Sequence, residues 1–185
     1  MKDNMMKINK LRMASLLCSA AAVLAGCAGP VDPAVYAKEK PALELSSYFN
    51  GHLQAWGVFQ DRSGKVVKRF TVNMDCAWQG DDGTLDEKFD YSDGSKQERV
   101  WKLHKTGGGN FTGTAGDVVG QATGSQSGNS LHWQYVLAVP VDGKTIDFDF
   151  DDWMFLMDDH VMLNHSTMNK WGFKAGEVVL SFTKP

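Results

Sequence analysis

Residues 69–78 read RFTVNMDCAW, with Phe70, Val72, Met74, Cys76 and Trp78 on one parity and Arg69, Thr71, Asn73 and Asp75 on the other. Successive side chains of a strand point to opposite faces, so strict alternation marks a strand with one buried and one wet face. The same period recurs in Leu131, Trp133, Tyr135, Leu137 and Val139, set against His132 and Gln134, and again in Val178, Leu180 and Phe182. Turn chemistry separates such segments at 61–64 (DRSG), 80–83 (GDDG), 92–95 (SDGS), 106–109 (TGGG), 125–128 (SQSG) and 141–144 (VDGK). Asp, Ser and Gly at these places suit the positive φ of tight hairpins. The Gly-rich run 113–128 is likewise expected to be turns. About nine or ten strands joined in this way form a meander. Each has an apolar face to bury, and a sheet that long curls and closes to remove its edges. The expected fold is all-β, an antiparallel up-and-down meander closing into a barrel of about 8–10 strands. A short helical turn in LELSSYFNG (43–51), stopped by Asn50-Gly51, precedes it.

A membrane-spanning barrel also alternates. Segments such as Thr84–Tyr91 are too short and too charged for a lipid-facing band, and the chain ends SFTKP without a terminal aromatic residue. The barrel is therefore expected to stand in water.

The N-terminus points to export. Lys2, Lys7, Lys10 and Arg12 precede an uncharged apolar run, Met13–Leu24, too short for a permanent span but suited to a secretory signal. VLAGC, Val23 to Cys27, is similar to a bacterial lipobox. That similarity implies cleavage between Gly26 and Cys27 and acylation of Cys27. Each buried methylene contributes about 0.8 kcal/mol, so three chains would anchor the protein durably. Ala28 at the following position implies sorting to the outer membrane, facing the periplasm. The expected organisation is a signal at 1–26, a lipidated tether at 27–42 containing Pro30 and Pro33, and a barrel at 43–185.

Beyond residue 26 the chain holds 15 basic and 21 acidic residues, and no basic cluster is present. Nucleic acid is excluded as a partner on that ground. Cys76 is the one thiol left free, so the fold must stand on its core without an internal disulfide.

DFDFDDWMFLMDDHVMLNHS, residues 147–166, crowds six aspartates and two histidines together. On a strand, Asp147, Asp149 and Asp151 share a wet face with Trp153 and Phe155, while Phe148, Phe150, Asp152, Met154 and Leu156 share the apolar one. A calcium loop would need Gly at the position of Asp152 and Glu at that of Asp158. His160 and His165, five apart, lack a zinc motif. No metal or other cofactor is expected, and Asp158-Asp159-His160 forms the turn into the next strand. Asp152 does not fit the pattern. A carboxylate on a buried face needs a partner or a raised pKa. Its expected partner is a backbone amide, Lys170 or Arg99. The alternatives are a polar group orienting a ligand in a cavity, or a catalytic carboxyl.

NGHLQAWGVFQDRSGKVVKRFTV, YSDGSKQERVW, DDWMFLMDD and WGFKAGEVVLSF, spread from Leu45 to Phe182, together resemble a family of uncharacterised proteobacterial lipoproteins with a lipocalin-like barrel. The resemblance implies a lipid connection, because members are often encoded beside lipid-modifying enzymes. A looser similarity to true lipocalins, which open with Gly-X-Trp whereas Gly51 and Trp56 here are five apart, implies a tryptophan closing one barrel end beneath the N-terminal helix, a place assigned here to Trp56. His165 stands where the lipoprotein family has Arg.

These strands of argument converge on a membrane-anchored lipoprotein whose barrel binds a hydrophobic ligand, a fatty acyl chain or phospholipid, with Asp152, Trp56, Trp133, Tyr135 and Met154 as contacts. A filled barrel serving as an envelope scaffold is the alternative, and a lipid-modifying enzyme using Asp152 a further one.

Overall fold

The computed structural model describes residues 30–185. The expected signal at 1–26, the expected cleavage site at Gly26 and Cys27, the expected site of acylation, lie outside the described residues.

Ten strands follow one another: β1 (Gly51–Asp61), β2 (Val66–Gln79), β3 (Asp82–Tyr91), β4 (Lys96–Gly107), β5 (Asn110–Thr114), β6 (Val118–Ser127), β7 (Ser130–Val141), β8 (Lys144–Leu156), β9 (Val161–Lys170) and β10 (Phe173–Thr183). Each pairs antiparallel with its sequence neighbours, and β10 returns to β1 to close the barrel. The alternation seen in residues 69–78 persists through β2, where Phe70, Val72, Met74 and Cys76 are buried and Arg69, Thr71, Asn73 and Asp75 are not. The meander, its closure and the strand number agree with the sequence expectation. The turn placement differs in two places. Ser125–Ser127 continue β6, so the hairpin tip is Gly128-Asn129. The Gly-rich run is therefore mainly strand.

The glycines of that run have a packing reason. A Cβ on Gly124 would lie 2.2 Å from the Trp133 ring, and one on Gly113 would lie 2.7 Å from the same ring. Trp133 lies flat over the bare backbone of its neighbouring strands, where a side chain would have kept it out. Gly83 does the same for Trp78, with 2.6 Å to a built Cβ.

Helix α1 (Leu45–Tyr48) closes one end of the barrel. Leu45, Tyr48 and Phe49 are buried there. The Tyr48 hydroxyl donates to the carbonyls of His160 and Phe182, and the Trp78 indole N–H donates to the Phe49 carbonyl at 2.8 Å. The tryptophan beneath the helix is thus Trp78. Trp56 was expected in that place, but its parity on β1 is opposite to that of the buried Leu53 and Ala55. It faces outward and is 48% exposed.

The segment before α1 is not a free tether throughout. A 3-10 turn at Pro33–Tyr36 places the Tyr36 ring edge-on against Trp153 and Phe155, at 5.7 and 5.1 Å. Those two aromatics are the apolar members of the wet face of β8, and Tyr36 covers them. His132 stacks on Trp153 at 4.2 Å. Among the described residues, no helix is long and apolar enough to cross a membrane.

Gly124→Ala should destabilise the barrel by about 1–3 kcal/mol through overpacking. Urea unfolding of Gly124→Ala, Trp133→Leu and the double variant should show the double losing less than the two singles combined.

Candidate functional site

The barrel interior divides into two apolar halves. The helix half is packed with Leu53, Met74, Trp101, Trp133, Met162 and Phe182, among others. Toward the other end, the mouth, lie Leu137, Phe150 and Met168 on one side and Phe70, Phe89 and Tyr91 on the other. Phe59, Val139, Phe148 and Val178 surround the first three and are only half-buried, although they point inward.

A cluster of charged groups lies within this apolar interior. Glu87 sits on β3 between Leu85 and Phe89, opposite Arg99 on β4. The Arg99 guanidinium approaches Glu87 at 3.7 Å, too far and too oblique for a hydrogen bond. Its hydrogen bonds go to Asp117, in the loop between β5 and β6, at 2.7–3.0 Å from Nε and one terminal nitrogen. Gln97 donates to the same carboxylate. Asp152 on β8 is 6% exposed and accepts from the Tyr135 hydroxyl at 3.2 Å. Ser166, its partner across the β8–β9 ladder, is buried beside it.

Three buried atoms of this cluster lack a well-formed hydrogen bond, Oε2 of Glu87, Oδ1 of Asp152 and Oγ of Ser166, although the Ser166 hydroxyl lies close enough to Asp152 to favour its carboxylate. Leaving such groups unmet costs roughly 1–3 kcal/mol each. The cluster also carries more acid than base, with Arg99 shared among Asp117, Glu87 and Asp152. Burial, as the largest cause, raises Glu87 from 4.5 to about 7, against the pull of Arg99. Burial likewise raises Asp152 from 3.8 to about 7, while Ser166 and Tyr135 beside it pull the other way. Tyr135 is pushed well above its ordinary value by burial and then by the Asp152 carboxylate. Near neutral pH the two acids share protons with solvent and can either accept or donate a hydrogen bond.

The structure brings together most of the residues singled out in the sequence. Asp152, Trp133, Tyr135 and Met154 all face the interior, and Tyr135 bridges its two halves. Trp56 does not join them. It lines an open groove of about 570 Å³ on the outer wall with Val58, Leu163 and Val179. The partner of Asp152 is Tyr135, and Arg99 acts on it electrostatically. Lys170 instead donates to the Asp147 carbonyl and lies over the rings of Phe148 and Trp171. His165 faces outward and meets Glu177 at 3.2 Å. Among the described residues no group of three or more His, Cys, Asp or Glu side chains could hold a metal ion. Glu87 was missed, although its signal was present: Leu85, Glu87, Phe89 and Tyr91 keep the apolar parity of β3. The abundance of charge in that segment concealed it.

Residues 21–184 match the family described as Protein of unknown function (DUF3833). The chain belongs to that family. No curated protein matches it. Among solved structures, the S-type phycobiliprotein lyase CPES from Guillardia theta is similar, with 7% sequence identity over 74% of this chain and 86% of that chain and a TM-score of 0.51. At that identity the likeness is one of fold, a lipocalin-like barrel. The DUF3833 barrel shares the architecture, and its interior cluster must be understood from its own residues.

The raised acids make stability depend on pH with a definite sign. Between their unfolded values and about 7, the folded state holds more protons than the unfolded one, so stability falls as pH rises through that window. Denaturant titrations from about pH 4 to 8 should show this decline. Glu87→Gln and Asp152→Asn should each flatten it, and the double variant most of all.

Proposed function

We propose that this chain is an envelope lipoprotein whose barrel takes an amphiphile through its mouth, the apolar part among Phe59, Phe148, Phe150 and Val178 and the head group at Glu87, Asp152 and Ser166. The observation that carries this reading is the pair of buried carboxyl oxygens, on Glu87 and Asp152, that lack a well-formed hydrogen bond and lie among the apolar side chains of the barrel interior. Apolar walls with a few convergent polar atoms are the usual composition of a small-molecule site.

The chemistry of the atoms narrows the head group. Arg99 gives Nε and one terminal nitrogen to Asp117, and its other terminal nitrogen stands 3.7 Å from Glu87. The unmet carboxyl oxygens call for protons, so a head bearing hydroxyl or ammonium groups complements them. An acyl chain or a phospholipid with such a head meets both requirements. Anchoring rests on the sequence: VLAGC, the charged and apolar segments before it, and Ala28 after it favour acylation of Cys27 and the periplasmic face of the outer membrane.

Residues 28–185, expressed in the periplasm and examined by native mass spectrometry with solvent extraction, should carry a reproducible acyl species. Glu87→Gln/Asp152→Asn should lose it while remaining folded. A folded protein that stays empty after incubation with envelope lipids would remove the carrier reading. Palmitate labelling of cells expressing the full chain should mark the protein, and Cys27→Ser should abolish the label.

A second reading, a scaffold with a solid barrel, is favoured by the helix half, where Trp78, Trp101 and Trp133 leave little room, and by the apolar outer groove around Trp56. It predicts the empty barrel and a protein partner lost on Trp56→Ala.

A further inference from the structure

The two ends of the barrel differ in what they show to solvent. At the mouth, the hairpins β7–β8, β9–β10 and β1–β2 are made by six strands that are consecutive around the barrel, so their tips form one continuous arc of the rim. Exposed apolar side chains line this arc: Val141 on the first hairpin, Trp171 and Phe173 on the second, Val66 and Val67 on the third. Trp171 is 85% exposed and Phe173 77%. Of the other two mouth hairpins, β3–β4 presents Asp93 and no large exposed apolar side chain, and β5–β6 has Val119 exposed beside its turn with Asp117 turned in to Arg99.

Charge segregates in the same way. The arc segments 61–68, 141–147 and 170–177 hold six basic residues (Arg62, Lys65, Lys68, Lys144, Lys170 and Lys174) and four acidic ones, a formal +2. Residues 30–185 as a whole hold 15 basic and 21 acidic residues, a formal −6. A net-positive arc on an acidic domain, studded with aromatic and aliphatic tips, complements an anionic lipid surface.

Trp171 supplies an independent argument. The two-residue loop Trp171-Gly172 has both φ values positive, 52° and 79°, the geometry of a tight hairpin that Asn-Gly or Asp-Gly fits best. The neighbouring hairpin uses Asp142-Gly143 at 49° and 76°. A bulky aromatic residue in the left-handed region is strained, and such strain persists where something other than the turn requires the side chain. Apart from Lys170 over its ring, Trp171 is turned to solvent.

We propose that this arc docks the barrel mouth onto an anionic phospholipid surface, with Trp171 and Phe173 inserted at the level of the head groups and Arg62, Lys65 and Lys144 facing lipid phosphates, since Lys68, Lys174 and Lys170 are engaged by Asp93, Glu177 and the Asp147 carbonyl. The contact is distinct from an acyl anchor on Cys27 and does not depend on what the interior binds.

Residues 28–185 contain the whole closed barrel and lack the acylated cysteine, so their binding to vesicles reports the rim alone. They should co-sediment with vesicles of phosphatidylglycerol and phosphatidylcholine, more weakly with pure phosphatidylcholine, and less at high salt. Trp171→Asn/Phe173→Ser should weaken binding by about tenfold or more. Because Asn suits positive φ, Trp171→Asn alone should leave the unfolding temperature unchanged or raise it while still weakening binding, a split that a structural role for the indole would not produce. Absence of binding to anionic vesicles, or equal binding by the wild type and the double variant, would overturn the proposal. The outcome is separable from ligand carriage, since Glu87→Gln/Asp152→Asn should bind vesicles as the wild type does.

Discussion

Eight residue pairs between β1 and β10, from Gln54–Thr183 to Asp61–Gly176, close the sheet on itself, and the rest of the architecture answers to that closure. A closed sheet has no unpaired edge, and its interior volume is set by strand number and tilt. Barrels of about eight strands can be filled by ordinary side chains, and the diameter grows with each further strand. Ten strands therefore enclose more space than aliphatic residues on each wall would occupy. In the helix half the excess is taken by tryptophans lying over glycine backbone, with α1 as a plug. Toward the mouth Phe70 lies over the bare backbone of Gly57 in the same way, while Phe59, Phe148 and Val178 on the other side stay half-buried.

The charged cluster gains meaning from this division. Burying Glu87, Arg99 and Asp152 in an apolar barrel is costly, and well-packed hydrophobic residues of similar volume would often stabilise the fold more. Arg99 and Asp117 satisfy each other with several hydrogen bonds. Glu87 and Asp152 do not share that satisfaction. Each keeps an oxygen without a well-formed hydrogen bond, and each responds to burial by taking up a proton near neutrality. A cluster whose only task was to hold the walls in register would be expected to close its own hydrogen bonds.

Period-two alternation carried most of the fold. It fixed which residues of β2, β7 and β8 point inward, placed Asp152 among apolar neighbours, and left Asp147, Asp149 and Asp151 to solvent. What it could not supply was contact between elements distant in sequence. Nothing near Trp153 and Phe155 announces that Tyr36 covers them, and nothing in the run 113–128 announces that its glycines make room for Trp133. Trp56 was assigned by analogy to a position beneath the helix, whereas strand parity alone places it outside and puts Trp78 within. Glu87 shows a different limit. Its parity was legible, but without Arg99 beside it a lone acid in a charged segment gives no reason to be counted as interior.

The asymmetry of the two ends bears on how an interior site could be used. At the helix end, indole and phenol groups donate to backbone carbonyls across the opening, so access there would require breaking buried hydrogen bonds. At the mouth, side-chain hydrogen bonds join Tyr91, Gln97, Asp117 and Arg99 on the β3–β6 side, while no such bonds span the β7–β10 side among the described residues. For a ligand arriving through water, an open mouth with a polar rim would suffice, and an Asp-Gly hairpin like that of β7–β8 would make the simplest edge. The β9–β10 hairpin instead holds a tryptophan in a strained conformation and faces it away from the protein. If the interior takes an amphiphile, that expenditure is accounted for when the apolar part moves from lipid into the barrel without crossing water, because the rim then holds the mouth against the phase the ligand leaves.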